Sequence, residues 1–107
     1  MEPEGAAILA GEPVTYPNHR IQGGGYAIQD LVMLKSGQID GYIKVTDQEA
    51  IQMARRLAKE EGLFAGFSSG ANVAAARQLL QTSFIGKTAV VLICDSGLKY
   101  LSTDLWE

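Results

Sequence analysis

Near its end the chain reads Thr88-Ala89-Val90-Val91-Leu92-Ile93-Cys94, a nearly continuous apolar run rich in β-branched residues. A run of this length and composition predicts a parallel strand covered on both faces, because a half-exposed strand would alternate apolar with polar side chains. Such a strand demands neighbours on both edges and helices above and below it. The other strand candidate is Gly41-Tyr42-Ile43-Lys44-Val45, whose alternation predicts a short, partly exposed strand. Two strands are too few to make a satisfactory sheet alone. The expected order of strand, helix, helix, strand fits an α/β layer with a right-handed crossover whose remaining strands come from elsewhere. One structural unit over residues 1–107 is therefore expected, cut from a larger domain, with no internal repeat and no linker.

The helices are predicted between the two strands. Thr46 and Glu49 have the spacing of a capping box, in which the threonine oxygen takes a free backbone N–H and the glutamate reaches back to the cap. Ala50, Met53, Ala54, Leu57 and Ala58 then share one helical face, with Gln52, Arg55, Arg56, Lys59 and Glu60 on the other. Gly62 supplies the stop. A second helix is expected to begin near Ser69, with its hydroxyl as the cap, and to run through Ala71, Val73, Ala74, Ala75, Ala76, Leu79 and Leu80; its many alanines permit close packing. The first forty residues hold Pro3, Pro13, Pro17 and the run Gly23-Gly24-Gly25, and read mainly as loop around a short apolar piece at Ala6 to Ala10.

Composition narrows the function classes. A net charge of −3 without a basic cluster argues against nucleic acid or an anionic membrane surface as a partner. The apolar run at residues 89–94 is far shorter than the ~20 residues that cross a bilayer, and the acidic start MEPEG lacks the features of a signal peptide, so a cytoplasmic location is expected. One cysteine and one histidine allow neither an internal disulfide nor a plausible metal cluster. Cys94, inside the apolar run, reads as a buried small hydrophobe, and His19, between Asn18 and Arg20, as a solvated loop residue.

Two segments carry more information than the rest: Glu61 to Val73, EGLFAGFSSGANV, and the closing CDSGLKYLSTDLWE. Together they resemble the C-terminal part of cysteine synthases, also called O-acetylserine sulfhydrylases, and the resemblance extends over the whole chain. The resemblance implies an α/β architecture, a fragment of the three-layer α/β/α domain of the tryptophan synthase β-like fold, with pyridoxal phosphate as cofactor of the complete enzyme. It also implies that the Schiff-base lysine and the Gly/Thr-rich phosphate loop belong to sequence upstream. None of Lys35, Lys44, Lys59, Lys87 and Lys99 stands in the family's Schiff-base context; each reads as a surface charge, and no residue here receives a catalytic assignment.

Three residues are singled out for the cofactor. Asp95-Ser96-Gly97 follows the predicted buried strand, at the carboxyl end where open α/β sheets place ligands. On the residues alone, a turn in which Ser and Gly merely leave the strand is the favoured reading. By resemblance, Ser96 matches the serine that hydrogen-bonds the pyridine nitrogen of pyridoxal phosphate. A neutral hydroxyl does not stabilise a protonated ring nitrogen as a carboxylate would, which leaves a weaker electron sink suited to β-elimination and replacement. Gly23 and Gly24, in a glycine run that alone reads as a surface loop, match the family's loop beside the substrate and cofactor ring. Phe67-Ser68-Ser69-Gly70-Ala71 is read as structural, and Tyr100 to Trp106 as a segment that docks the chain end against a neighbour.

The complete enzyme implied by the resemblance converts O-acetylserine and sulfide to cysteine and acetate, with a small amino acid as substrate. The isolated chain is expected to be inactive and to need a missing N-terminal part or complementing chain; its unpaired strand predicts that it forms homo-oligomers, swaps elements or remains partly unfolded. Two alternatives stand beside this reading: a fragment of a cystathionine β-synthase-like enzyme, which accepts homocysteine, and a noncatalytic, free-standing binding or assembly module.

Overall fold

The computed structural model describes residues 1–21, 30–31 and 37–107. Its architecture begins with a parallel strand pair, β1 (Glu2–Pro3) and β2 (Lys44–Val45), in which Glu2 lies opposite Lys44 and Pro3 opposite Val45. The predicted strand at 41–45 is thus shortened to its last two residues. Between the strands, the Glu2 carboxylate accepts from the Leu9 and Ala10 N–H groups at 3.0 and 2.9 Å, folding the apolar piece back so that Ala6 and Ala7 are buried. The two oxygens thereby satisfy backbone donors that a loop would otherwise leave unpaired.

Thr46 starts helix α1 (Asp47–Arg56) with the expected capping box: its Oγ1 accepts from the Glu49 N–H at 3.1 Å, and the Glu49 carboxylate accepts from the Thr46 N–H at 2.8 Å. A wider π turn, Leu57–Glu61, continues α1 and ends at Gly62, whose φ of 70° is left-handed and favours glycine. Across this junction Arg56 donates two hydrogen bonds to Glu60, at 3.0 and 2.9 Å, and these bonds hold the Glu60 carboxyl below the usual carboxylate range. The buried face of α1 is the predicted one, Ala50, Met53 and Ala54, joined by Leu57.

Helix α2 (Phe67–Gln81) lies across α1. Gly70 faces the Ala50 carbonyl and Ala54 so closely that a Cβ would collide with both, so absence of a side chain sets the approach of the two helices. Two apolar clusters result. One holds Ile21, Val45, Ala50, Ala71 and Ala75 between β2 and the helices. The other holds Ala54, Phe67, Tyr100 and Leu105, with the Phe67 and Tyr100 rings edge to face at 5.2 Å.

Four expectations are corrected here. The helix cap is Gly66, not Ser69: α2 starts three residues earlier than a Ser69 cap would place it, and the Ser69 hydroxyl accepts instead from the Cys94 N–H at 3.0 Å, 25 residues away in sequence. The apolar run at 88–94 forms no regular strand. Val90 is 99% and Leu92 72% exposed, and among the described residues no backbone is hydrogen-bonded to residues 88–93 as a ladder requires. Cys94 is exposed rather than buried. The chain end docks on the chain itself: Arg55 of α1 donates to the carbonyls of Leu105 and Asp104 at 2.7 and 2.6 Å, and Arg20 forms an ion pair with Asp104. Among the described residues no helix is long and apolar enough to cross a membrane.

Candidate functional site

Ser96 stands at the centre of a turn fixed from both sides. Ala65 and Ser96 form an isolated antiparallel bridge, in which the Gly66 N–H donates to the Asp95 carbonyl at 3.2 Å and the Gly97 N–H to the Phe64 carbonyl at 3.0 Å. Two residues before Ser96 the Cys94 N–H is held by Ser69, and two residues earlier the Leu92 carbonyl accepts from the Asn72 side chain at 3.0 Å. The N-terminal turns of α2 therefore grip the segment that delivers Ser96. Beyond it, the Ser96 Oγ accepts from the Leu98 N–H at 3.2 Å and caps a short 3-10 turn, Gly97–Tyr100. The serine is exposed. With its oxygen occupied as an acceptor, its O–H remains able to donate to a ligand.

Asp95 faces the other way. Its Oδ2 accepts a 2.5 Å hydrogen bond from the Tyr100 hydroxyl and lies 3.5 Å from the Lys99 ammonium, while its buried Oδ1 has no hydrogen-bond partner among the described residues. Gly66 makes room for this pair, since a Cβ there would overlap the Tyr100 ring and lie 2.5 Å from Asp95 Oδ1. On the far side of the turn the Trp106 Nε1–H donates to the Gly97 carbonyl at 3.1 Å, and the Phe64 and Trp106 rings approach to 4.4 Å. A Cβ at Gly97 would lie 2.6 Å from Trp106. Both glycines are thus explained by close approach; at Gly97 the sequence alone points only to a turn.

The other candidates divide. Gly23 and Gly24 lie within 22–29, outside the described residues. His19 lines a polar groove near the strand pair together with Glu4, Tyr16 and Lys44. Lys44 is not a free surface charge, since it donates to Glu12 at 2.8 Å and this bond raises its pKa above the ordinary lysine value. Sequence reasoning missed the Asp95–Tyr100 pair and the clamp formed by Ser69 and Asn72. The serine and asparagine in the second helix were the available signal, as polar residues on a helix that packs closely need partners.

The profile of a family described as "Pyridoxal-phosphate dependent enzyme" matches residues 1–95. The chain belongs to that family. Cysteine synthase A of Escherichia coli K12 is 48% identical over 103 residues, covering 94% of this chain and 31% of its own length. Cysteine synthase of Staphylococcus aureus N315 is 41% identical over 108 residues, covering 100% of this chain and 34% of its own. Among solved structures, cysteine synthase from Entamoeba histolytica superposes with a TM-score of 0.81 at 34% identity, over 98% of this chain and 30% of that one. O-ureido-L-serine synthase also reaches 0.81, at 37% identity, over 98% of this chain and 32% of that one. The chain thus spans about a third of the length of the curated relatives it matches. Its α/β architecture is a part of the tryptophan synthase β-like fold of these pyridoxal-phosphate enzymes.

The family's cofactor can be tested against the turn. The pyridine nitrogen of pyridoxal phosphate, when unprotonated, is a hydrogen-bond acceptor, and Ser96 is exposed with its O–H donor unspent. The adjacent carboxylate of Asp95 is directed to Tyr100 and Lys99. A neutral donor next to a committed carboxylate fits an unprotonated ring nitrogen.

Proposed function

We propose that this chain is the C-terminal part, residues 1–107, of a pyridoxal-phosphate-dependent cysteine synthase, the enzyme that makes cysteine and acetate from O-acetylserine and sulfide. The observation that carries the reading is Ser96, an exposed hydroxyl with a free donor, held in register by Ser69, Phe64 and Gly66 in a chain 48% identical to a cysteine synthase A. When bound, the cofactor supplies the electron sink that lets an acetate leave the β-carbon and a sulfur nucleophile replace it. Ser96 would donate to the ring nitrogen, a neutral partner that suits its unprotonated form, and by the family resemblance Gly23 and Gly24 would belong to the loop beside the substrate. The remaining chemistry requires a Schiff-base lysine and a phosphate-binding loop supplied by a missing N-terminal part or a complementing chain. The polypeptide by itself is inactive, and its place of work is the cytoplasm.

The test is complementation. The chain is mixed with the upstream part of the E. coli cysteine synthase A, the portion that precedes the matched region, and cysteine formation is assayed with pyridoxal phosphate, O-acetylserine and sulfide. The reading expects activity in the mixture, none from either part alone, and a loss in the mixture when Ser96→Ala replaces the native chain. Cysteine formation by the pure 107-residue polypeptide, or homocysteine accepted in preference to sulfide, would overturn it.

A further inference from the structure

Ser96 is tied to Trp106 through a single peptide unit. The Trp106 Nε1–H donates to the Gly97 carbonyl at 3.1 Å, and the N–H of that same peptide, which belongs to Leu98, donates to the Ser96 Oγ at 3.2 Å. A trans peptide is planar and its C=O and N–H point in opposite directions, so a bond that fixes the carbonyl also fixes where the N–H is aimed. The indole therefore sets the plane of the backbone group that holds the serine oxygen.

Every bond in this series runs the same way. The indole donates to the peptide, the peptide donates to the hydroxyl, and the hydroxyl keeps its O–H for a ligand. Hydrogen bonds aligned head to tail polarise one another, so donation by Trp106 makes the Leu98 N–H, and in turn the Ser96 O–H, a stronger donor. The Asp95 carboxylate stands outside the series, directed to Tyr100 and Lys99.

The indole is itself held in place. Its ring lies against that of Phe64 at 4.4 Å, and the Phe64 carbonyl takes the Gly97 N–H at 3.0 Å, so Phe64 and Trp106 grip the two polar ends of Gly97. Leu105, fully buried in the cluster with Ala54, Phe67 and Tyr100, anchors the short turn that carries the indole. Arg55 of α1 donates to the Leu105 and Asp104 carbonyls at 2.7 and 2.6 Å and fixes the same turn from the helix.

We propose that Trp106 is a positioning residue for Ser96, aiming and polarising its hydroxyl through the Gly97–Leu98 peptide toward a neutral, lone-pair acceptor on the ligand. The series of bonds stands on geometry alone; that the acceptor is the ring nitrogen of pyridoxal phosphate rests on the functional reading above.

Trp106 is the chain's one tryptophan, so it can be replaced throughout by benzothienylalanine, which keeps the fused ring and has no N–H. The full chain carrying it is compared with the native chain by amide exchange. Loss of one neutral hydrogen bond is expected to speed exchange of the Leu98 N–H about 2–10-fold, while the Gly97 N–H, bonded to Phe64, and the Gly66 N–H, bonded to Asp95, keep their rates. Equal acceleration at all three would make Trp106 a packing residue and overturn the proposal. No acceleration at Leu98 would overturn it as well, since the indole bond would then not reach Ser96. In the mixture with the upstream part of the E. coli cysteine synthase A, the same replacement is expected to lower kcat at unchanged KM for O-acetylserine, and to add nothing to the loss caused by Ser96→Ala. Additive losses would contradict action through the serine. A mixture that is inactive even with the native chain tells against the functional reading alone, and Leu98 exchange then decides the proposal by itself.

Discussion

The Tyr100 hydroxyl donates a 2.5 Å hydrogen bond to Asp95 Oδ2 and so ties the chain that precedes Ser96 to the 3-10 turn that follows it. Tyr100 is only 2% exposed and its ring packs against Phe67, so the hydroxyl is anchored by the core of the helical layer. The turn that presents Ser96 therefore inherits its position from the packing of α2 rather than from its own sequence.

Removing that tie tests the inheritance. Tyr100→Phe keeps the ring and deletes the donor, leaving the carboxylate with Lys99 as its remaining partner. The expected cost is about 1–2 kcal/mol, typical of a hydrogen bond to a charged acceptor that stays partly solvated. A chemical-denaturation midpoint lowered with an unchanged slope is the expected reading; an unshifted midpoint would mean the pair contributes nothing.

Ser69→Ala leaves the Cys94 N–H without its acceptor while removing little volume from a fully buried site. A loss of about 1–2 kcal/mol is expected. Amide exchange distinguishes the clamp from a general packing effect. Exchange at Cys94 and its neighbours accelerates, whereas exchange in α1 keeps pace with global stability. Equal acceleration throughout would argue against a local clamp.

Gly70→Ala forces a methyl group into the Ala50 carbonyl and Ala54. Helix propensity alone would make the change favourable. Overpacking between backbones is expected to dominate, with a destabilisation of about 1–3 kcal/mol measured by thermal unfolding. A stabilised variant would show that α1 and α2 have room to separate.

Local signals in the sequence translated directly into structure. The Thr46 and Glu49 capping box, the left-handed stop at Gly62 and the buried stripe Ala50, Met53, Ala54 each depend on residues a few positions apart. Features that depend on distant partners did not. The apolar run at 88–94 carries every mark of a covered strand, but a strand needs a backbone hydrogen-bonded beside it, and among the described residues none is. The Ser69 hydroxyl suits a helix cap and a long-range acceptor equally, and only the fold brings the Cys94 N–H to it. At the site, the position of Ser96 after the apolar run was legible. Its support by Phe64, Gly66 and Tyr100 was not, because these contacts join segments about thirty residues apart or turn on the room left by a missing Cβ.

The measurement that tests the account most directly is titration of the purified chain with pyridoxal phosphate, followed by absorbance and then by borohydride reduction and peptide mass mapping. A cofactor contact limited to Ser96 and the glycine loop, with no Schiff-base lysine among Lys35, Lys44, Lys59, Lys87 and Lys99, predicts no saturable labelling of any lysine. Saturable labelling of one lysine at low cofactor concentration would contradict the account, because the chain would then build a complete cofactor site of its own.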